Sequence, residues 1–125
     1  AKQARKFADQ DQDYKGLLKD REISAHDIFE AYDNDDPIAA KVIASAIELW
    51  GMAIANLVSL FDPEKIILGG GVFGPATRFI PAIRTEAEKW AQPVSMKMVK
   101  IEATTLHDKA GLYGAGLLAL RNRKI

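Results

Sequence analysis

The chain has 125 residues, 48% hydrophobic and 27% charged, which is ordinary for one soluble globular domain. Seventeen basic residues balance seventeen acidic ones, so neither a nucleic-acid surface nor a basic membrane-binding block is indicated. Without cysteine the chain has no disulfide framework and no thiolate metal site. We therefore expect a cytoplasmic protein with no apolar run long enough to cross a membrane.

The first residues predict a helix that is already under way. Residues 1–10 place Ala4, Phe7 and Ala8 on one side, and residues 9–22 predict a polar loop or weak helix. Because the chain lacks an initiating Met and this helix lacks a cap, we expect the sequence to be cut from something longer. The carboxylates at 9–13 could bind a cation, although solvation is the favoured interpretation.

Two helix starts follow. Ser24 is typical of an N-cap for a short helix that ends near Tyr32, and Asp36 with Pro37 predicts a long helix that ends at Phe61. His26 lies in the first turn of the short helix, where a surface histidine is favoured over a general base.

The second half of the long helix has few polar residues. This composition predicts burial nearly all round, with Asn56 hydrogen-bonded inside the protein. Gly51 predicts close packing of another element. Trp50 and Trp90 lie on helix faces and predict core or interface anchors.

The most informative stretch is KIILGGGVFGP, residues 65–75. A short strand runs into three glycines, and a helix is predicted to open at Pro75 and reach Ala91. Pro81 inside it predicts either a kink or a first short turn. Consecutive glycines are favoured where the main chain has positive φ or is approached closely. Free amides and the positive end of a helix dipole together favour phosphate binding, so the sequence predicts a nucleotide-contacting turn.

The remaining pattern predicts a second strand at 97–102, with Met98 or Val99 and Ile101 inward, and a last helix over 109–120 capped by Asp108. The glycines at 111, 114 and 116 predict close packing of that helix, or less favourably the lining of a nucleotide cleft. His107 beside Asp108 resembles a catalytic dyad, but a loop is favoured.

The order of elements predicts an α/β fold with a parallel βαβ unit and several helices. Two strands make a poor sheet, so we expect a wider sheet whose other strands are absent or come from a partner.

Residues 57–72, LVSLFDPEKIILGGGV, resemble the signature of the ROK family of bacterial sugar kinases and sugar-responsive repressors. The preceding DDPIAAKVIASAIELWGMAIANL resembles the long helix of the family, and AGLYGAGLLAL resembles its C-terminal helix. The resemblance implies part of an actin-like ATPase (ribonuclease H-like) lobe, with ATP and Mg²⁺ in a cleft and sugar below. Residues 1–22 then correspond to a remnant helix and polar loop after a zinc-motif region, and residues 23–125 to the C-terminal lobe.

The resemblance also implies roles for the glycine turn. Gly69, Gly70 and Gly71 would contact adenosine, and Val72 and Phe73 would lie near the base or ribose. The catalytic Asp, the Cys/His zinc motif and a sugar-contacting Glu of the family have no matching motif in this sequence. We therefore expect no catalytic residue and no metal ligand in this chain.

Three functions stay open. The favoured one is the C-terminal nucleotide-cleft portion of an ATP-dependent hexose-type kinase. The second is the effector-binding portion of a repressor that binds DNA through a helix-turn-helix elsewhere, and the third is a stand-alone interaction module. We expect the chain alone to lack kinase activity, and to self-associate through apolar helix faces that carry Trp50, Leu57 and Leu60.

Overall fold

The computed structural model describes residues 1–11, 13–19, 22–106 and 109–121. These ranges contain six α-helices and two strands: α1 (Lys2–Gln10), α2 (Ala25–Asp33), α3 (Pro37–Phe61), β1 (Lys65–Leu68), α4 (Ile80–Ala87), α5 (Pro93–Met98), β2 (Lys100–Ala103) and α6 (Ala110–Arg121). Two 3-10 segments, Gly71–Phe73 and Pro75–Phe79, lie between β1 and α4. β1 and β2 pair in parallel, as predicted.

The helix starts predicted at Ser24 and Asp36 are confirmed. The Ser24 hydroxyl accepts a hydrogen bond from the Asp27 amide while the Asp27 carboxylate accepts from the Ser24 amide, which forms a capping box. Asp36 Oδ1 accepts from the amides of Ile38 and Ala39 at 2.9 and 3.0 Å, and proline occupies the first turn of α3. Each capping side chain binds an amide two or three residues ahead of it, so the sequence alone is enough to predict both caps.

The polar stretch before α2 is anchored rather than free. The Tyr14 hydroxyl donates to Asp36 Oδ2 and accepts from the Leu18 amide at 3.1 Å, and all three residues are buried. A Cβ on Gly16 would lie 2.2 Å from Asp36 Oδ2, so only glycine fits where this segment passes the start of α3. Burial raises the pKa of Tyr14, and the hydrogen bond to Asp36 raises it further.

Replacing Tyr14 by Phe is expected to lower the free energy of unfolding by about 1–3 kcal/mol, because the buried Asp36 carboxylate loses a donor. Urea unfolding followed by circular dichroism measures this, with the exposed Tyr113→Phe as control. The raised pKa makes this stabilisation complete below the unfolded pKa of about 10 and lost as the pH rises through the folded value. The two variants should therefore converge in strongly alkaline buffer, and equal stability at pH 7 would contradict the anchor.

The second half of α3 is buried on one side only. Ile54, Ala55 and Val58 are buried, whereas Leu57 and Leu60 are 42% and 75% exposed. The prediction of burial nearly all round is wrong for the described residues, and Asn56 is exposed instead of bonded inside the protein. Composition shows that this surface is apolar, but burial depends on which elements cover it, and α1, α2, α4 and α5 leave this side open.

By length and composition alone, α3 could cross a membrane, so the expectation that no apolar run is long enough is wrong by that criterion. The core helix of a soluble protein satisfies the same criterion. Eight residues of α3 are buried within this fold, and we interpret α3 as its central helix.

Gly51 is where α3 and α4 approach each other, as predicted. A Cβ on Gly51 would lie 2.7 Å from both Cβ and Cγ of Glu86 and 3.0 Å from the Ala87 amide nitrogen. Ile83 and Ala87 of α4 are completely buried against this side. The glycine thus allows two backbones to pack at a distance that any side chain would prevent.

Several boundaries after β1 differ from the prediction, and the helix expected to reach Ala91 ends at Ala87. The helix predicted from Pro75 is a 3-10 segment, and the α-helix starts only at Ile80. Pro81 explains the shift, because its missing N–H is tolerated in the first turn of a helix and would break a bond farther inside. Of the two alternatives for Pro81, a first short turn before the α-helix is therefore confirmed, and a kink within one helix is not.

The predicted strand at 97–102 is also shorter than expected. Residues up to Met98 form α5, and the strand starts at Lys100. Of the two residues predicted to point inward, Val99 is the buried one, at 2% exposed, whereas Met98 is 75% exposed. The Arg84 guanidinium donates to the carbonyls of Met96 and Val99 at 2.7 and 3.0 Å. These carbonyls lie at the C-terminus of α5, where they have no partner within the helix. Arg84 is distant in sequence, so the local pattern does not indicate that it supplies these hydrogen bonds.

Helix α6 has nearly the predicted bounds but not the predicted packing. A Cβ on Gly111, Gly114 or Gly116 would meet no atom within 4 Å, so no close approach occurs there among the described residues. All described residues from 111 to 121 are exposed, including Leu112 and Leu117. The predicted cap at Asp108 and the dyad with His107 lie outside the described residues.

Candidate functional site

The candidate site lies at the carboxyl edge of the parallel pair. Leu68 is opposite Ala103, and the Thr104 amide donates to the Leu68 carbonyl at 2.8 Å. The glycine turn, Gly69–Gly71, leaves β1 at this edge, beside the chain that leaves β2. Open α/β sheets bind ligands beyond the carboxyl ends of their strands, so the topology puts the turn where a ligand is expected.

The three glycines differ in their surroundings. A Cβ on Gly69 would lie 3.1 Å from Thr104 Cγ2, so this position is tight. Gly70 has φ +93° and ψ 172°, a region that only glycine adopts without strain, and the expected positive φ is present there. A Cβ on Gly70 or Gly71 would meet no atom within 4 Å. The main chain at Gly70 and Gly71 is therefore exposed and approachable.

No α-helix begins at the turn. Gly71–Phe73 is a single 3-10 turn in which the Phe73 amide donates to the Gly70 carbonyl at 3.0 Å, and α4 starts much later, at Ile80. The predicted positive end of a helix dipole is therefore wrong at this position. An open main chain remains, but the strongest physical reason for phosphate at the turn is lost.

A groove runs beside the turn, between it and α2. One cavity of about 250 Å³ is lined by Ala25, His26 and Phe29 of α2 and by Gly71, Val72 and Pro75. A second cavity of about 460 Å³ shares His26, Phe29 and Pro75 and continues along α2 to Asp33 and Arg78. We call these two joined cavities the α2 groove. Its walls are mainly apolar beside the turn and carry charge at the far end.

The predicted site residues are not all brought to this groove. Gly71 and Val72 line it, and Gly69 and Gly70 lead into it from β1. Phe73 instead packs on Trp50, with ring centroids 5.1 Å apart. Trp50 is half-buried against the core, which confirms it as a packing residue, while Trp90 is 55% exposed.

The sequence did not indicate the part of the groove that is formed by α2 and by the 3-10 segment Pro75–Phe79. His26 is exposed, as expected of a surface histidine, but it lines both cavities. Arg78 forms an ion pair with Asp33 across the groove at 2.7 Å. These residues are distant in the chain, so no local sequence motif indicates that they meet.

Metal ligands are not grouped in the part of the chain that the structure describes. No cluster of three or more His, Asp or Glu side chains is placed there to hold an ion. The groove offers open main chain and apolar walls beside the turn, with Glu30 and the Asp33–Arg78 ion pair farther along, and its apolar end suits a flat organic group.

The sequence model of the ROK family matches residues 3–122. The chain is 34% identical over 96 residues to a glucokinase from Halalkalibacterium halodurans and 33% identical over 95 residues to a beta-glucoside kinase from Listeria innocua. These matches cover 77% and 76% of this chain but 29% and 31% of the relatives. The chain therefore spans about a third of the length of these relatives.

Solved structures agree with the sequence matches. The fold resembles that of a sugar kinase from Cytophaga hutchinsonii, with a TM-score of 0.80 and 26% identity, over 94% of this chain and 39% of that one. It also resembles a ROK family transcriptional regulator, a homologue of the E. coli MLC protein, with a TM-score of 0.77 and 28% identity, over 95% of this chain and 30% of that one. Since the family match spans nearly the whole sequence, this chain belongs to the ROK family.

Proposed function

We propose that this chain is the C-terminal nucleotide-cleft portion of an ATP-dependent, hexose-type sugar kinase of the ROK family, within an actin-like ATPase fold. The observation that carries the proposal is the exposed main chain of Gly70 and Gly71, which opens onto the α2 groove at the carboxyl edge of the sheet. The names of the relatives, glucokinase and beta-glucoside kinase, support sugar phosphorylation as the activity of the whole protein.

The groove favours adenosine over phosphate as the group held by this chain. Its walls beside the turn are formed by the side chains of Val72, Phe29 and Pro75 and by glycine main chain. A purine ring is flat and apolar on both faces, so it can fill such a space while its edge reaches main-chain amides and carbonyls. The glycine turn itself has neither a positive charge nor a helix N-terminus for a triphosphate, and the N-terminus of α2, which also lines the groove, is already capped by Ser24 and Asp27.

The residues of the turn fit this role. Absence of a side chain on Gly70 and Gly71 lets a ligand approach the main chain, and a Cβ at either position would occupy that space. When bound, ATP supplies the phosphoryl group, and such transfers depend mostly on positioning and charge stabilisation. We propose that this chain positions the adenosine, and that the Mg²⁺ ligands and the catalytic base come from the remainder of the kinase.

A second candidate is the effector-binding portion of a ROK repressor. It is favoured by the similarity to the solved ROK transcriptional regulator. Such a protein would carry a DNA-binding helix-turn-helix in its full reading frame, and sugar would act as its effector. We further propose a cytoplasmic homo-oligomer, with the exposed Leu57 and Leu60 of α3 and the half-buried Trp50 as contact residues.

Kinase and repressor are separated by one assay on the full-length protein. ATP-dependent formation of a hexose phosphate is expected, while the 125-residue chain alone should show no turnover. Operator binding without any sugar phosphorylation would contradict the kinase proposal and support the repressor.

The adenosine site is tested on the chain itself by amide NMR. Adenosine is expected to shift the amide signals of Gly70 and Gly71 in a saturable way at millimolar concentrations, whereas inorganic tripolyphosphate should leave them unchanged. Gly114, on the exposed α6, serves as the internal control. Shifts with tripolyphosphate alone would assign the turn to phosphate, and no shift with either ligand would contradict a nucleotide role.

A further inference from the structure

Arg78 contacts three aromatic rings and one carboxylate along the α2 groove. Its guanidinium carbon lies 5.0 Å from the ring centroid of Phe79, 5.5 Å from that of Tyr32 and 6.0 Å from that of Phe29. Its Nη1 donates to Asp33 Oδ1 at 2.7 Å. A guanidinium over aromatic rings is attracted by their negative faces.

These contacts join the two walls of the groove. Phe29, Tyr32 and Asp33 belong to α2, while Arg78 and Phe79 belong to the 3-10 segment that follows the glycine turn. Beneath the guanidinium, Phe79 stacks with Phe29 at 6.3 Å and meets Tyr32 edge-on at 5.3 Å. The contact between α2 and this segment therefore consists of two buried phenylalanine rings, the partly buried Tyr32 ring and the Arg78 guanidinium that packs over them.

This contact is coupled directly to the ligand end of the groove. Phe29 lies under Arg78 and also lines the cavity beside Gly71 and Val72. Any shift of α2 away from the 3-10 segment would move Phe29 and widen that cavity. An exposed ion pair alone contributes little to stability, but here it acts together with three ring contacts.

We propose that Arg78 is a positioning residue of the nucleotide site, which sets the width of the α2 groove by holding α2 against the segment that follows the glycine turn. The inference rests on the proposed adenosine site. Arg78 acts through Phe29 and the position of α2, and not by touching the nucleotide. Loss of the guanidinium is expected to weaken adenosine binding much more than it weakens the fold.

The test compares the affinity of the parent chain for adenosine with that of Arg78→Met, Arg78→Lys and a matched control variant. The affinity is measured from the shift of the Gly71 amide NMR signal as adenosine is added. Methionine keeps an unbranched apolar stem but removes the guanidinium and its charge, whereas lysine keeps a positive charge. Lys65→Met is the control, since it removes an ion pair with Glu102 of the same kind, at 2.8 Å and with side chains 46% and 49% exposed against 42% and 54% for Arg78 and Asp33. Urea unfolding of each variant is measured alongside.

Arg78→Met is expected to raise the dissociation constant for adenosine about fivefold or more, as loss of a partly desolvated cation–π contact implies. Arg78→Lys should recover most of this loss, and Lys65→Met should stay within about twofold of the parent chain. Should Arg78→Met not fold, Arg78→Gln takes its place under the same criteria, because glutamine also removes the charge and the ring contacts of the guanidinium.

The outcomes separate this inference from the one on which it rests. Equal affinities in the parent, Arg78→Met and Lys65→Met would overturn the positioning role while leaving the adenosine site intact. A parent chain whose Gly70 and Gly71 amides do not respond to adenosine would overturn the proposed site, and the role of Arg78 with it.

Discussion

Replacing Gly70 by valine in the full-length kinase is expected to raise the KM for ATP about tenfold or more, while the KM for sugar stays within about twofold. Two physical effects act in the same direction. The φ of +93° strains any other residue by about 1–3 kcal/mol, and the new side chain would occupy the open space beside the turn, which leads into the α2 groove at Gly71. Steady-state kinetics with each substrate varied in turn measures the split.

Gly71→Ala separates these two effects. Gly71 is not at positive φ, and a Cβ there would meet no atom within 4 Å, so the substitution should leave the free energy of unfolding within about 0.5 kcal/mol. Its KM for ATP should nevertheless rise, because the methyl group lies where the ligand is expected. If neither variant changed the KM for ATP, the turn would have no part in nucleotide binding.

The largest loss of stability is expected for Gly51→Val. Its Cβ would lie 2.7 Å from two carbons of Glu86 and 3.0 Å from the Ala87 amide nitrogen, and the backbone of α4 cannot move aside cheaply. We expect the free energy of unfolding to fall by about 3 kcal/mol, since overpacking outweighs the gain of at most about 1 kcal/mol in helix propensity. Urea unfolding of the chain measures the loss.

Gly114→Ala is the matched control for a glycine inside a helix. No atom lies within 4 Å of a Cβ there, so only the helix propensity changes and the chain should become more stable by up to about 1 kcal/mol. A Gly51→Val chain as stable as the parent would mean that α3 and α4 do not approach as closely as described.

The sequence predicted the features that depend on neighbours in the chain. The caps at Ser24 and Asp36 bind amides two or three residues ahead, so residue type and spacing suffice. The strand before the three glycines and the positive φ at Gly70 are equally local. Gly51 could be identified because a glycine in an apolar helix needs a packing reason.

Features that depend on distant contacts were missed or misjudged. The position of α2 beside the glycine turn arises from the aromatic contacts around Phe79, and no spacing in the sequence indicates it. The exposure of Leu57 and Leu60 depends on which elements cover α3 and not on their own polarity. The start of α4 was predicted at Pro75 instead of Ile80, because Pro75 and Pro81 both fit the first turn of a helix.

The most direct test of the central claim is a crystal structure with adenosine or ADP bound. We predict that the adenine ring lies in the α2 groove, with atoms in van der Waals contact, at about 4 Å, with Gly71, Val72 and Phe29. A nucleotide bound elsewhere, with Gly70 and Gly71 left uncovered, would contradict the account.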